Sequence, residues 1–225
     1  ALSADEKIAA VIPLKGYNDA KYVVFATRGG MVKKTPLAEY DSPRTGLAAI
    51  NLRKKDQLIG VKLTNGRDDV ILVSRSGQAV RFAESSARPM GRQTAGVIGM
   101  RLRDKDEVLA MALASDGEDL VTITETGFGK RTPVKEYPKK GRGGLGVVTH
   151  KLTDKTGRLA GAFVGSKDQD VFVISGTGIV IRVSSESIRR TGRPSQGVKV
   201  MRLDGRTKVA AVAPVMTQVD NGAAA

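Results

Sequence analysis

Four apolar runs, Tyr22–Thr27, Val70–Ser74, Leu120–Thr124 and Val171–Ser175, recur along the chain, each followed by a turn that contains glycine. Their short length, β-branched content and flanking turn residues favour strands over helices. The turns read Arg28-Gly-Gly-Met-Val-Lys-Lys34, Arg75-Ser-Gly-Gln-Ala-Val-Arg81, Glu125-Thr-Gly-Phe-Gly-Lys-Arg131 and Gly176-Thr-Gly-Ile-Val-Ile-Arg182, so Gly30, Gly77, Gly127 and Gly178 stand four residues before Lys34, Arg81, Arg131 and Arg182. Glycine fits such a position because two twisted strands joined closely require positive φ. Each unit therefore opens with a hairpin whose return strand carries a basic residue.

A second series keeps the same period. Arg88-Pro-Met-Gly-Arg92, Lys139-Lys-Gly-Arg-Gly-Gly144 and Arg189-Arg-Thr-Gly-Arg-Pro194 place Gly-Arg pairs at 91/92, 141/142 and 192/193, intervals of 50 and 51. Two landmarks with one period define a repeat. After each hairpin comes a basic, Gly-rich stretch, then Gly46–Leu52, Gly96–Leu102, Gly146–Leu152 or Gly197–Leu203, a polar turn, and a last apolar run at Gln57–Leu63, Glu107–Leu113, Arg158–Val164 or Lys208–Val215. The expectation is an all-β chain of four units, about 21–63, 69–113, 119–164 and 170–215, each a four-stranded antiparallel blade of about 50 residues packed on its neighbours as in a propeller. Lys7–Leu14 repeats the last run of each unit and predicts a remnant strand over 7–15, as in a piece of a longer protein, while 217–225 lacks any apolar pattern and is expected to be mobile.

Composition narrows the chemistry. The 225 residues include no Cys and one His, which removes thiolate chemistry and the usual zinc spacings. No signal-peptide pattern and no apolar stretch long enough to span a bilayer is present, so a soluble protein is expected, and the absence of Cys agrees with a reducing, cytoplasmic setting. Gly141–Gly146 lacks the Lys-Ser/Thr that a P-loop needs, the four tyrosines have no base or metal set nearby, and His150 inside an apolar stretch reads as structural. Phe25, Phe82, Phe163 and Phe172 read as core rather than as base-stacking platforms. The chain alone is expected to bind rather than to catalyse.

Charge points to the ligand. Lys and Arg number 37 against 23 Asp and Glu, a formal charge of +14. Acidic residues gather in turns such as Asp68/Asp69, Asp116–Asp119 and Asp168/Asp170, whereas basic residues recur at equivalent positions of the repeat and predict a curved basic rim. The candidate phosphate contacts are Lys33, Lys34, Arg44, Arg81, Arg88, Arg92, Lys130, Arg131, Lys139, Lys140, Arg142, Arg182, Arg189, Arg190 and Arg193. Arg presents a planar fork of donors to phosphate oxygens, and Gly-rich turns bring backbone N–H groups close to them. Two alternatives stay open: solvated strand ends that keep a repeat protein soluble, and a propeller scaffold for an acidic protein partner. Without a recognition helix, the expected ligand is duplex DNA, held by phosphate and read through its bendability.

The repeats resemble the C-terminal domain of bacterial DNA gyrase A, especially the high-GC Gram-positive type. The resemblance rests on Tyr22-Val-Val-Phe-Ala-Thr-Arg-Gly-Gly-Met-Val-Lys-Lys34, Arg88-Pro-Met-Gly-Arg-Gln-Thr-Ala-Gly-Val97, and Lys130-Arg-Thr-Pro-Val-Lys-Glu-Tyr-Pro138 followed by Gly-Arg-Gly-Gly. The equivalent domain of topoisomerase IV is the alternative. The resemblance implies a six-bladed β-pinwheel, of which this chain holds about four blades, with strands exchanged between neighbours and a basic rim that bends and wraps duplex DNA. It further implies that the wrap directs ATP-driven type II strand passage toward negative supercoiling. The expected partners are double-stranded DNA, the rest of gyrase A, and gyrase B in an A2B2 assembly on the chromosome. No cofactor is expected in this chain, because the catalytic Tyr, magnesium site and ATP site of the family lie in other parts of the holoenzyme. The family's Gln-Arg-Arg-Gly-Gly-Lys-Gly box has its nearest local relative in Lys140-Gly-Arg-Gly-Gly-Leu-Gly146, which keeps Arg142 and the glycines and carries Leu145 in place of Lys.

Overall fold

Every apolar run that opens a unit forms a strand, and three of the four hairpins are flanked by partners from two different units. The computed structural model describes residues 8–44 and 46–215. Unit one contributes β1 (Tyr22–Thr27), β2 (Met31–Pro36) and β3 (Leu58–Thr64). Unit two contributes β4 (Asp69–Ser74), β5 (Gln78–Ala83), β6 (Val97–Ile98) and β7 (Val108–Ala114). Unit three contributes β8 (Asp119–Thr124), β9 (Phe128–Pro133), β10 (Val147–Val148) and β11 (Leu159–Gly165). Unit four contributes β12 (Asp170–Ser175), β13 (Val180–Ser184), β14 (Val198–Lys199) and β15 (Val209–Pro214).

The sheets run in the orders β3-β1-β2-β6, β7-β4-β5-β10, β11-β8-β9-β14 and β15-β12-β13, with all pairings antiparallel. A hairpin thus pairs on one side with the last strand of its own unit and on the other with the third strand of the next. The third strand is shorter than the sequence pattern suggests, only two residues in β6, β10 and β14. Its ladder ends where the chain turns to cap the neighbouring hairpin. Gly46–Leu52 forms no strand, since the described chain offers it no preceding hairpin to pair with. The fourth sheet accordingly has three strands, not four. Residues 8–15, expected as a remnant strand, belong to no sheet, and Lys7 and the expected mobile tail 217–225 lie outside the described residues.

Why the runs are continuously apolar follows from the two faces. Side chains alternate across a strand, and both faces of the middle blades meet another blade. In β4, Val70 and Leu72 pack with Val24, Ala26 and Val32 of the first sheet, whereas Ile71 and Val73 pack with Leu120 and Leu159 of the third. In β8, Leu120 turns toward the second sheet, and Val121 and Ile123 turn toward Val171, Val173 and Val209 of the fourth. Phe82 and Phe163 are buried in these layers and Phe25 on the opposite face of the first sheet with Val23 and Leu37, whereas Phe172, also read as core, is half-buried. Full burial of such side chains contributes about 1.5–3 kcal/mol each, and this drives the stacking of sheets that carry few aromatics.

The hairpin glycines fix the junctions. Gly30, Gly77, Gly127 and Gly178 have φ of 83°, 78°, 83° and 87°, respectively. The carbonyl of Gly30 accepts from the amides of Gly99 and Met100 at 2.8 and 3.1 Å, and that of Gly127 from Val200 and Met201 at 2.8 and 3.1 Å. Gly77 does the same for Thr149 and His150 at 2.8 and 3.4 Å. A Cβ on Gly127 would lie 2.3 Å from the Met201 carbonyl oxygen, while one on Gly178 meets nothing within 4 Å. Gly178→Ala is therefore expected to cost about 1–2 kcal/mol, the left-handed backbone alone, and Gly127→Ala about 1–3 kcal/mol more through the clash. Urea denaturation of the two variants measures the difference, and equal losses would show that the junction does not depend on this contact.

Candidate nucleic-acid interface

The two basic series that run separately along the chain meet across the unit junctions. Backbone bridges join Lys34 to Pro89, Arg81 to Lys139 and Arg131 to Arg190, each placing the basic loop of one unit beside the second strand of the unit before it. The amides of Met90, Lys140 and Thr191 donate to the carbonyls of Lys34, Arg81 and Arg131 at 2.8, 3.0 and 2.8 Å. Short 3-10 turns at Leu37–Tyr40, Glu84–Ser86, Val134–Glu136 and Ser185–Ser187 carry the chain from the second strand toward the loop. The three loops thus occupy equivalent sites on successive blades.

Five of the candidate phosphate contacts face inward. Lys33 and Lys130 have no exposed surface, and Lys34, Arg81 and Arg131 are buried. The second strand of a unit has both faces covered, so a basic residue in its middle points between blades and must be neutralised there. Arg81 is paired with Asp69 at 2.9 Å and Asp116 at 2.8 Å and donates to Val134 O. Arg131 is paired with Asp119 at 2.9 Å and donates to Ile188 O at 2.9 Å. The acid stands twelve residues before the base in both, and again in Asp170 and Arg182, paired at 2.6 Å. Unit one has Tyr22 where the others have the acid: Lys34 Nζ lies 4.8 Å from the Tyr22 ring centre, donates to Glu84 O at 2.9 Å and pairs with the buried Glu84 carboxylate at 3.9 Å. Asp69, Asp119 and Asp170 recur with the period of the repeat, a signal that their assignment to polar turns concealed.

The same carboxylates hold the next unit's loop. Asp69 meets Lys139 at 2.6 Å, and Asp119 meets Arg190 at 2.9 Å, so each buried acid serves one cation of its own blade and one of its neighbour. Burial alone would raise the Asp69 carboxyl, but hydrogen bonds and charge from Lys139 and Arg81 outweigh it and hold the group below the ordinary carboxylate range. Its contribution is present above the unfolded value and is lost as acid protonates the folded carboxylate. Burial lowers the ammonium groups of Lys33 and Lys130, both to about 8, only partly opposed by Glu39 and Glu136 respectively. His150 is buried with Nδ1 2.9 Å from Thr122 Oγ1 and Nε2 2.9 Å from Gln196 O, and desolvation first of all lowers it to about 4, in keeping with a structural role.

The outward set is Arg44, Arg88, Lys139, Lys140, Arg142, Arg182, Arg189 and Arg190, all exposed, with Arg92 and Arg193 half-buried. Within it, Arg142 donates to Ser86 O and Ile98 O at 3.0 Å each. A second band of exposed cations is hidden in the sequence because its turns look merely polar. It comprises Arg53, Lys54 and Lys55 in unit one, Arg101, Arg103 and Lys105 in unit two, and Lys151, Lys155, Arg202 and Arg206 further on. Asp56 places this band at the hairpin end of the blade, accepting from Thr27 Oγ1 at 2.6 Å and from the Gly29 amide at 2.8 Å. Lys55 and Lys105 hold φ of 67° and 59°, so the turns keep a cation where glycine would be less strained. Among the described residues no group of three or more His, Cys, Asp or Glu is placed to hold a metal, and no helix is long and apolar enough to cross a membrane.

Two measurements check this electrostatic layout. Asp119→Ala strands buried Arg131 and is expected to cost about 3–5 kcal/mol. Asp170→Ala, whose partner Arg182 is 63% exposed, is expected to cost under about 1 kcal/mol in the same denaturation assay. Lysine side-chain NMR should show two resonances, assigned through Lys33→Met and Lys130→Met, titrating with midpoints at about 8. Since the unfolded chain keeps these protons to higher pH, the folded state gains stability from both sites as pH rises from about 8 toward the ordinary lysine value.

Comparison with known proteins agrees with this architecture. A family model described as the DNA gyrase C-terminal domain, beta-propeller, matches four times, over residues 21–65, 68–115, 118–166 and 169–216. DNA gyrase A of Mycolicibacterium smegmatis is 42% identical over 214 residues, 93% of this chain and 25% of that protein. DNA gyrase A of Streptomyces coelicolor is 42% identical over 221 residues, 95% of this chain and 26% of that protein. The chain therefore spans about a quarter of the length of these curated relatives. Among solved structures, a C-terminal domain of DNA topoisomerase IV superposes with a TM-score of 0.89 at 32% identity, over 95% of this chain and 68% of that one. A DNA gyrase A C-terminal domain gives 0.85 at 24% identity, over 96% of this chain and 72% of that one, a likeness of fold. Repeat period, exchanged strands and these matches together assign the chain to the family of DNA gyrase C-terminal domains.

Proposed function

We propose that the exposed cations of the basic loops bind duplex DNA through its phosphates and bend it along successive blades. The observation that carries this reading is the recurrence of an exposed basic loop beside the second strand at three junctions, each in the same register. A net charge of +14 supplies the long-range attraction. The loops offer side chains of Arg and Lys with little aromatic surface, which suits backbone contact rather than base readout. Bending a site of 20–30 base pairs by 40–90° costs about 1–6 kcal/mol, an amount that several phosphate contacts spread over the blades can offset. The candidate contacts are the outward set named above, with Lys33, Lys34, Arg81, Lys130 and Arg131 acting indirectly by holding the loops.

In the whole protein, the bent segment would be presented to the strand-passage gate of a type II topoisomerase. The activity would then be ATP-dependent supercoiling by gyrase A with gyrase B in an A2B2 complex, with ATP and magnesium bound elsewhere, in the cytoplasm at the chromosome. The superposition on a topoisomerase IV domain favours a second reading, a module that contacts DNA without constraining superhelical turns. The count of turns constrained by the full-length protein separates the two.

The reading is tested with a salt series on end-labelled duplexes of about 20 and about 60 base pairs, followed by anisotropy and end-to-end energy transfer. The longer duplex should be drawn end to end, and Arg88→Ala, Lys140→Ala or Arg189→Ala should each reduce the slope of log affinity against log salt by about 1. Slopes that do not change in any of the three would overturn the assignment of these loops to the phosphate contact.

A further inference from the structure

Successive junctions are built in two ways. Lys33, Val80, Lys130 and Ile181 occupy one position of the repeat, three residues after the hairpin glycine. In units one and three that position is a buried lysine which reaches into the next unit's basic loop. Lys33 Nζ donates to Ala49 O at 2.5 Å and to Arg92 O; Lys130 Nζ donates to Gly192 O at 2.8 Å, to Arg193 O and to Ser195 Oγ at 3.2 Å. The surroundings repeat as well, since Lys33, Thr35, Glu39 and Tyr40 return as Lys130, Thr132, Glu136 and Tyr137. A desolvated ammonium satisfied by loop carbonyls fixes the loop backbone, because displacing a carbonyl leaves part of a buried charge unpaired.

Unit two carries Val80 instead. Its side chain stops short, and a cavity of about 190 Å³ lies between it and the loop of unit three, bounded by Tyr137, Pro138, Gly144, Leu145 and Val147. That loop is tied from the outside. The exposed guanidinium of Arg142 holds Ser86 O and Ile98 O, the Gly143 amide donates to Gly99 O at 2.6 Å, and the Arg101 amide donates to Gly144 O at 2.9 Å. Among the described residues neither Arg92 nor Arg193 uses its guanidinium in a hydrogen bond. Leu145 at the cavity mouth is 48% exposed.

We propose that the residue three after the hairpin glycine is a positioning residue for the next unit's basic loop. Lysine there sets the loops at 88–92 and 189–194 before DNA arrives, and Val80 leaves 139–146 to be shaped by the duplex, with Arg142 exchanging two carbonyls for phosphate oxygens. The exchange is favoured because a phosphate adds opposite charge and matches the planar guanidinium fork with two oxygens, whereas the two carbonyls are neutral and separate acceptors, and the cavity gives the loop room to shift. The proposal rests on the duplex-binding reading above, and its first half is decided without DNA.

Amide hydrogen exchange on the whole chain, with and without a duplex of about 40 base pairs, tests it. In the free chain the amides of 141–145 should exchange about tenfold faster than those of 192–195, a local-opening difference that the method resolves. Lys130→Met should bring 189–195 to the rate of 139–146 while 88–92 stays unchanged as an internal reference. Val80→Lys should slow 139–146, whereas Val80→Met, which fills the cavity without the charge, should leave it fast. On binding, the wild-type chain should gain more protection at 139–146 than at 189–195, and Val80→Lys should reduce that difference. Equal exchange of the two loops in the free chain, or a folded Lys130→Met in which 189–195 is unmoved, overturns the positioning role. Should Lys130→Met not fold, a folded Val80→Lys that leaves 139–146 as fast as wild type overturns it instead. A free chain that shows the contrast but gains no protection with DNA overturns the duplex-shaped half together with the functional reading.

Discussion

Three hairpin carbonyls, those of Gly30, Gly77 and Gly127, each accept two amides from the following unit, and the rest of the structure depends on that contact. It excludes a Cβ at turns whose φ is positive with or without it, as Gly178 shows. It also sends the third strand of each unit into the preceding sheet, so that no middle blade completes itself. Once that strand has crossed over, its basic loop must run beside the neighbour's second strand. The basic residue of that strand is then trapped between blades, where only an acid, a ring or a carbonyl can receive it.

The hairpin glycines, the apolar runs and the repeat were legible because each obeys a local rule: positive φ at a tight turn, and β-branched residues on a strand buried on both faces. Residues 8–15 resemble a last strand yet pair with nothing, because resemblance in pattern supplies no adjacent hairpin edge. The site was legible in outline only. Arg88, Lys140 and Arg189 face outward as a cation should, but Lys33 and Lys130 do not, since reading a charge as surface assumes that no buried partner exists. Their partners include main-chain carbonyls 59 to 63 residues away, those of Arg92, Gly192 and Arg193, which no pattern in side-chain identity reveals. The acids at 69, 119 and 170 were within reach, twelve residues before each arginine, as partners of Arg81, Arg131 and Arg182 and not as turn residues.

Net charge is therefore a poor guide to which cations meet a ligand. Asp69 and Asp119 each neutralise one arginine inside a blade and position one cation on the next loop, so removing either would disturb fold and rim together. Unit one reaches the same geometry differently, with Tyr22 beneath Lys34 and Glu84 receiving Thr64 Oγ1 at 2.7 Å and the amides of Gly66 and Asp68 at 2.7 and 2.9 Å. Variants at the rim proper should change affinity with the fold intact, whereas variants one layer beneath it should change both.

The alternation of Lys33, Val80, Lys130 and Ile181 has a consequence for how such an array can change its length. Deleting unit two alone would bring the lysine of unit one against the loop at 139–146, which now faces Val80 across a cavity and is tied from outside by Arg142, so that junction would gain an internal tie it does not have. Deleting units two and three together would bring Lys33 against the loop at 189–194, which a lysine already holds. Removing units two and three together therefore keeps the kind of junction the last loop meets, whereas removing unit two alone changes the kind that 139–146 meets. In this chain the chemistry of the junctions thus repeats over two blades, although the structural repeat is the single one.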